Sequence, residues 1–381
     1  MTRWPPLLLV WIVLLTAVGS ARAADWDTFS APDAPTRACF LDQGLTSADL
    51  EELAGGKPKS EGLRQRAKDA LNACRCDALT PPYAGPLFDA MAQMDETVEM
   101  TSALEQVRAA GVGKIALFAR SRNRLGENEA AVARLATAFP DLVILGAPKY
   151  FLLRRDLSPE FIDATIEGVQ SKGYKFVGEI LYTHGDKDHG EQTSSGERQV
   201  DPSAPGTARL LDMLAPYKVP VMTHWEVYEW ERDWPRFHAL YGAYPDQIFI
   251  GPHMLFASPA QAREVLSAHP NVWMTVSKKE KEQEALSDPV KAARLGEKMI
   301  NSCGQLKNGW AKVLTDFSDR LMFATDAHKL SRWDEYAKPV ALWRGILGQL
   351  PPDVAERIAF RNAERLYGVT VPTYPSSPHA R

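Results

Sequence analysis

The 381 residues carry 44 Lys and Arg against 48 Asp and Glu, a net charge of −4, with 45% apolar residues. This mildly acidic balance argues against nucleic acid or an anionic membrane surface as a partner. The length permits one large domain or two.

The chain opens as an export signal. Thr2-Arg3 supply the positive start, Leu7 to Val18 an apolar stretch too short to span a bilayer comfortably, and Ala21-Arg22-Ala23 a small-residue cleavage pattern. An uncleaved anchor is the alternative, and the lack of a Cys after the pattern argues against a lipoprotein. Removing residues 1–23 takes away Arg3 and Arg22 and no acid, so the net charge moves from −4 to −6. No second long apolar segment follows, so the mature protein is expected to be periplasmic or secreted, without membrane contact once the signal is gone. Export also places Cys39, Cys74, Cys76 and Cys303 in an oxidising compartment. Cys39 paired with Cys74 or Cys76 would tie the N-terminal region together. A Cys74-x-Cys76 metal site lacks a nearby His, and Cys303 reads as a small core residue.

Residues 24–83 show helices and no obvious strand. Ser47-Ala-Asp-Leu-Glu-Glu-Leu reads as a capped helix, and a second helical pattern runs from Glu61 to Cys74. This region is expected to be a helical extension. From about Leu87 short apolar runs alternate with amphipathic segments. The runs are Leu87 to Met94, Lys114 to Phe118, Leu142 to Gly146, Lys175 to Tyr182, Val219 to His224, Ile248 to His253, Val272 to Ser277 and Leu321 to Asp326. Eight such units predict a closed α/β fold, a (β/α)8 TIM barrel over residues 84–372, with 373–381 as a tail. No Gly-rich dinucleotide fingerprint follows the first run. Two connections are long: the polar stretch from Thr183 through Gly206, a lid or a disordered loop, and Lys278 to Leu314, room for two helices.

In a parallel barrel the C-terminal ends of the strands converge on one face. Runs five, six and eight end there on His224, His253 and Asp326, and Glu179 lies in run four. Met91 and Gln93, two apart on strand one, both point inward. Arg120, Lys149 and Lys278 stand at the ends of strands two, three and seven, where cations either hold a substrate carboxylate or pair at the surface. Gln93 is a further candidate contact for a substrate. Each of these residues has a structural alternative: the histidines as loop hydrogen-bond partners, Asp326 as a helix cap, Glu179 as a salt-bridge partner. His184, His189 and His328 read as solvated loop residues. The run Trp225-Glu226-Val-Tyr228-Glu-Trp230-Glu-Arg-Asp-Trp234 lines a sugar or apolar pocket, or packs beneath the loops.

Taken in order, Phe88-Asp89-Ala-Met91-Ala-Gln93, Val177-Gly178-Glu179-Ile180, Tyr244-Pro245-Asp246 leading to His253, Asn271 to Ser277, Asp319-Arg320 to Thr325-Asp326, and Ile358 to Gly368 around Asn362 resemble the amidohydrolase superfamily. The likeness is to its amidohydrolase-related branch, which includes decarboxylases and lactonases, and it spans roughly Leu87 to Val369. The resemblance implies divalent metal held by a strand-one histidine pair, histidines on strands five and six, the strand-eight aspartate and sometimes a strand-four acid. Here the first pair is Met91 and Gln93, poor ligands for a hard cation, which implies loss of the first site. The implied ligand set is then Glu179, His224, His253 and Asp326 around one divalent ion, zinc by its donors. It resembles some N-acetylglucosamine-6-phosphate deacetylases, which lack the strand-one pair and keep one metal. The resemblance implies a hydrolase of a small-molecule amide, ester or lactone, with Asp326, His224 and His253 catalytic and Asp326 the general acid/base. The alternatives are a degenerate barrel that binds a small ligand or partner protein, and a lactonase without metal.

Overall fold

The computed structural model describes residues 34–55, 60–74, 80–121, 124–150, 155–184, 198–277 and 297–372, with positions 29, 32 and 58. The segment expected to be an export signal and the tail fall outside these residues. The chain divides into two compact units between Arg75 and Cys76, rather than near residue 83. The reason is local. Tyr83 N donates to Arg344 O, and the Arg344 guanidinium donates to Tyr83 O and Gly85 O at 2.8 and 3.0 Å, so this segment belongs to the larger unit.

The smaller unit contains three helices, α1 (Ala34–Asp42), α2 (Ser47–Ala54) and α3 (Glu61–Ala73). The cap of α2 is Thr46, one residue before Ser47. Thr46 Oγ1 accepts from Asp49 N at 3.0 Å while the Asp49 carboxylate accepts from Thr46 N at 2.8 Å, a reciprocal capping box. Cys39 in α1 is bonded to Cys74 at the end of α3. That bond settles the choice of partner and removes the Cys74 sulfur from any metal site.

The larger unit is the eight-stranded barrel. Its strands are β1 (Leu87–Met94), β2 (Val112–Ser121), β3 (Val143–Leu145), β4 (Val177–Leu181), β5 (Val221–His224), β6 (Phe249–Gly251), β7 (Val272–Thr275) and β8 (Leu321–Met322). The intervening helices are α4 (Met100–Ala109), α5 (Glu129–Ala138), α6 (Pro159–Ser171), α7 (Pro205–Leu214), α8 (Trp230–Ala243), α9 (Pro259–Ala268) and α10 (Asn308–Asp316). After β8 come α11 (Leu330–Asp334), α12 (Ala337–Leu347), α13 (Pro352–Glu356) and α14 (Asn362–Tyr367). β1, β2 and β3 pair in parallel, as do β4 to β8 in sequence. Two seams close the ring. Ala90 N donates to Phe323 O at 2.9 Å and Asp326 N to Met91 O at 3.0 Å, while Ala147 bridges Val177. At the second seam a Cβ on Gly178 would stand 2.2 Å from Ala147 O, so only glycine allows the strand carrying Glu179 to approach so closely.

Strand residues are buried almost throughout, as a parallel sheet covered by helices requires. α14 is pinned under the barrel by Asn362, whose Nδ2 donates to Ser318 O and Leu321 O at 2.6 and 2.7 Å. Beyond β4, Thr183–His184 pairs antiparallel with Arg198–Gln199, and residues 185–197, with His189, lie outside the described set. Residues 278–296, with Lys278, also lie outside it. Cys303, expected as a plain core residue, is instead disulfide-bonded, a pairing that spacing along the chain does not encode. Among the described residues no helix is long and apolar enough to cross a membrane.

Candidate metal centre

Three donors meet at the mouth of the barrel. Glu179 projects from β4, His224 ends β5, and His253 follows β6; one ligand atom from each lies within 4.8 Å of the others, and all three residues are buried. Glu179 divides its two oxygens. Oε1 lies 2.5 Å from His224 Nδ1 and 3.4 Å from His253 Nε2. Oε2 receives the Lys149 ammonium and, at 3.3 Å, the Gln93 amide. The imidazoles are braced from behind: His224 Nε2 donates to Glu226 Oε1 at 3.0 Å, and His253 Nδ1 lies 2.9 Å from Ser277 Oγ. Imidazoles held in this way by outer acceptors are what a metal centre uses. The donor set therefore fits a divalent ion on the Oε1 side of Glu179, where the ion would take the place of the His224 Nδ1 proton.

The local charges are strongly coupled. Burial alone would raise the Glu179 pKa, but Lys149, His224 and His253 outweigh it and hold the carboxyl well below its usual range. Burial opposes charge on His224 as well, yet Glu179 and Glu226 together raise its pKa. Lys149 is depressed, chiefly by burial, with Glu179 offsetting part of that and Arg120 adding to it.

Asp326 stands beside this trio rather than within it. Its Oδ1 accepts from Gln93 Nε2 at 3.0 Å, while Oδ2 lies 3.3 Å from His328 Nδ1, 3.4 Å from Arg332 and 3.9 Å from His253 Nδ1. It does not cap a helix: α11 starts after Lys329, with no side-chain cap. Asp326 is held at φ 51°, and His253, Met254, Leu255 and Phe256 all lie between φ 52° and 58°. Left-handed backbone at non-glycine residues costs about 1–2 kcal/mol each, and such strain collects where side chains must be aimed.

Of the expected substrate contacts, Gln93 bridges Glu179 and Asp326 through Nε2, and its Oε1 is buried with no hydrogen-bond partner among the described residues. Met91 turns its sulfur to within 4.0 Å of Thr275 Oγ1. Neither Lys149 nor Arg120 pairs at the surface: both are buried, Lys149 on Glu179, and Arg120 on Asp95 at 3.0 Å and on His328 O. Lys278 lies outside the described residues. His328 is not a solvated loop residue but hydrogen-bonds at Asp326, and His184, half-buried, stacks on the His224 ring at 5.2 Å. Glu226, Ser277, Asp95 and Arg332 were not expected at the site. His224-x-Glu226 carried a signal for one of them, since residues two apart share a face.

The tryptophans of the aromatic run are engaged in packing. Trp225 stacks on Phe237 at 4.4 Å and on Trp230 and Trp234 at 6.2 Å, and its Nε1 donates to Tyr241 OH. Asp89 is structural too. It accepts from Thr325 N, Thr325 Oγ1, Tyr336 OH and Met91 N at 3.0, 2.5, 2.8 and 3.2 Å, and so ties β1 to the strand-eight turn. Burial pushes its carboxyl up to about 6 in spite of these donors.

The amidohydrolase family profile matches residues 170–369. No curated protein matches the chain. Among solved structures it is similar to an uncharacterised TIM-barrel protein from Bordetella bronchiseptica, 15% identical over 90% of this chain and 92% of that one, with a TM-score of 0.45. It is similar also to a dihydroorotase from Saccharomyces cerevisiae in complex with 5-fluoroorotic acid, 14% identical over 77% and 86%, TM-score 0.49. A third is 2,6-dihydroxybenzoate decarboxylase from Rhizobium, 12% identical over 75% and 99%, TM-score 0.43.

Proposed function

Because the chain belongs to the amidohydrolase family, we propose that it is an exported hydrolase of a small molecule, cleaving an amide, ester or lactone with the help of one divalent ion, zinc by its donor set. The observation that carries this reading is the convergence of Glu179 Oε1, His224 Nδ1 and His253 Nε2, with Glu226 and Ser277 bracing the two rings. An ion held by Glu179, His224 and His253 would polarise the scissile carbonyl and lower the pKa of the attacking water. Asp326 accepts a proton from that water and returns it to the leaving group; Gln93 and Arg332 hold its carboxylate in place. Gln93 Oε1 accepts from a substrate N–H or O–H. Export is supported by the leader pattern and by the Cys39–Cys74 disulfide.

A second reading, a barrel that binds a ligand without turnover, draws on one observation: Lys149 and Gln93 already compensate Glu179 Oε2. The test measures metal content and hydrolysis of lactones, amides and esters together. His224→Ala should abolish the bound metal, His253→Ala should weaken its binding, and Asp326→Asn should keep the metal while losing turnover. If the natural protein binds no metal, hydrolyses none of these and is equally stable after all three substitutions, the hydrolase reading fails and the ligand-binding barrel replaces it.

A further inference from the structure

The His224 ring faces two carboxylates. Its Nδ1 points at Glu179, inside the barrel, and its Nε2 at Glu226, 3.0 Å away on the outer side. A third group completes the outer side: His184 stacks on His224 with ring centroids 5.2 Å apart and planes 24° from parallel. One ligand atom each from His184, His224 and Glu226 lies within 4.8 Å of the others. Two imidazoles and a carboxylate are a zinc-type donor set, needing about 2.0–2.2 Å to the ion and leaving a position for solvent. The backbone holds the three together. Tyr182 N donates to His224 O at 2.9 Å, and the Thr183–His184 strand is pinned by pairing with Arg198–Gln199.

We propose that His184, His224 and Glu226 form a second divalent-cation site, a capture station at the barrel mouth that loads the inner one. Each site uses a different nitrogen of one ring, and a neutral imidazole has a single lone pair to give. The two stations therefore alternate, and the chain holds one ion at a time. Glu226, fully buried, supplies the outer negative charge, and half-buried His184 is the ligand nearest to solvent. An ion arriving at His184 would reach the inner trio by leaving Nε2 of His224 for Nδ1, the single ring proton moving from Nδ1 to Nε2 as it does so. The proposal rests on the inner metal reading only for this direction of travel.

The test uses Zn2+ alone with the full mature protein, measuring stoichiometry by calorimetry and uptake rate by stopped flow with a zinc indicator. His184→Phe keeps the stacked ring but removes the ligand, so the fold is preserved. In the natural background it should leave one equivalent bound and slow uptake about tenfold, the loss of local ion focusing. His253→Ala, which spoils the inner station, should still bind one equivalent, more weakly, and adding His184→Phe or Glu226→Gln should remove it. The proposal is overturned if His253→Ala alone abolishes binding, or if its residual binding ignores His184. Binding lost in His184→Phe but untouched by His253→Ala would uphold the outer site and overturn the inner one. A natural protein that takes up no Zn2+ would overturn both.

Discussion

Lys149→Met would remove the ammonium from Glu179 Oε2 while keeping most of the buried stem. Removing one partner of a buried ion pair costs about 3–5 kcal/mol, because the surviving charge stays desolvated. Glu179 retains Gln93 at 3.3 Å and His224 at 2.5 Å. The lower end of the range, about 3 kcal/mol, is therefore expected in metal-free protein. A divalent ion changes the comparison. With the ion on the Oε1 side, about 6 Å from the ammonium, and an effective dielectric of about 20, the ammonium opposes the ion by on the order of 5 kcal/mol. The orientation that Lys149 gives the carboxylate is worth about 1 kcal/mol, one hydrogen bond, so charge wins. The variant should bind zinc more tightly than the natural protein. Urea unfolding at pH 7, with EDTA and with excess zinc, measures both effects. The deficit of about 3 kcal/mol in EDTA should shrink in zinc by at least about 1.4 kcal/mol, a tenfold gain in affinity. A loss under about 1 kcal/mol in EDTA would refute the buried pair, and equal losses in both media would refute the competition between ammonium and ion.

Replacing Met91 and Gln93 together by His should raise the metal stoichiometry, because imidazole is a far better zinc ligand than thioether or amide; unchanged content in a folded variant would mean that this side of the pocket is closed to ions. Asp89 has its pKa pushed from 3.8 to about 6, so across that window the folded protein keeps a proton that the unfolded chain has released. Its contribution to stability is full below the lower value and is lost as the pH rises through 6, by about 3 kcal/mol in total. The stability difference between natural protein and Asp89→Asn should therefore shift by about that amount between pH 3.5 and pH 7, and a flat difference would contradict it. Intact mass should show a chain starting near Ala24 without free thiols, and peptide mapping should link Cys303 to Cys76, the cysteine left by count. Reducing Cys39–Cys74, which are 35 residues apart, should cost the helical unit about 3–4 kcal/mol.

The barrel was legible because its signal is redundant. Eight apolar runs at βα spacing each repeat the same message, and strand ends converge by topology, so Glu179, His224, His253 and Asp326 could be placed near one another from the sequence alone. The observed strands lie within or overlap the eight runs. What one-dimensional spacing does not carry is where a long or rotatable side chain ends. A lysine at a strand end either snorkels to solvent or reaches inward, and Lys149 reaches inward because Glu179 meets it from the neighbouring strand. The same limit hid the division of labour around His224. Its position followed from strand five, but which nitrogen faces Glu179 and which faces Glu226 depends on the ring's rotation, fixed only when the β4 and β5 ends pack together.

Met91 and Gln93 on strand one form a coherent set with the residues around them. Gln93 Nε2 lies between Glu179 Oε2 at 3.3 Å and Asp326 Oδ1 at 3.0 Å, a donor placed between two buried carboxylates. Lys149 supplies the full positive charge that an amide lacks, and Met91 fills the remaining space against Thr275. Two buried carboxylates left without donors or a cation would carry a desolvation cost of several kcal/mol each. An amide, an ammonium and a thioether therefore do together, on the β1 side of the pocket, what a cation and its two imidazoles would do electrostatically. They leave Oε1 of Glu179 and the two remaining imidazoles as a separate donor set on the other side. A site built in this way presents one side for a metal and one for hydrogen bonding, with Gln93 Oε1 buried beside it and without a hydrogen-bond partner among the described residues.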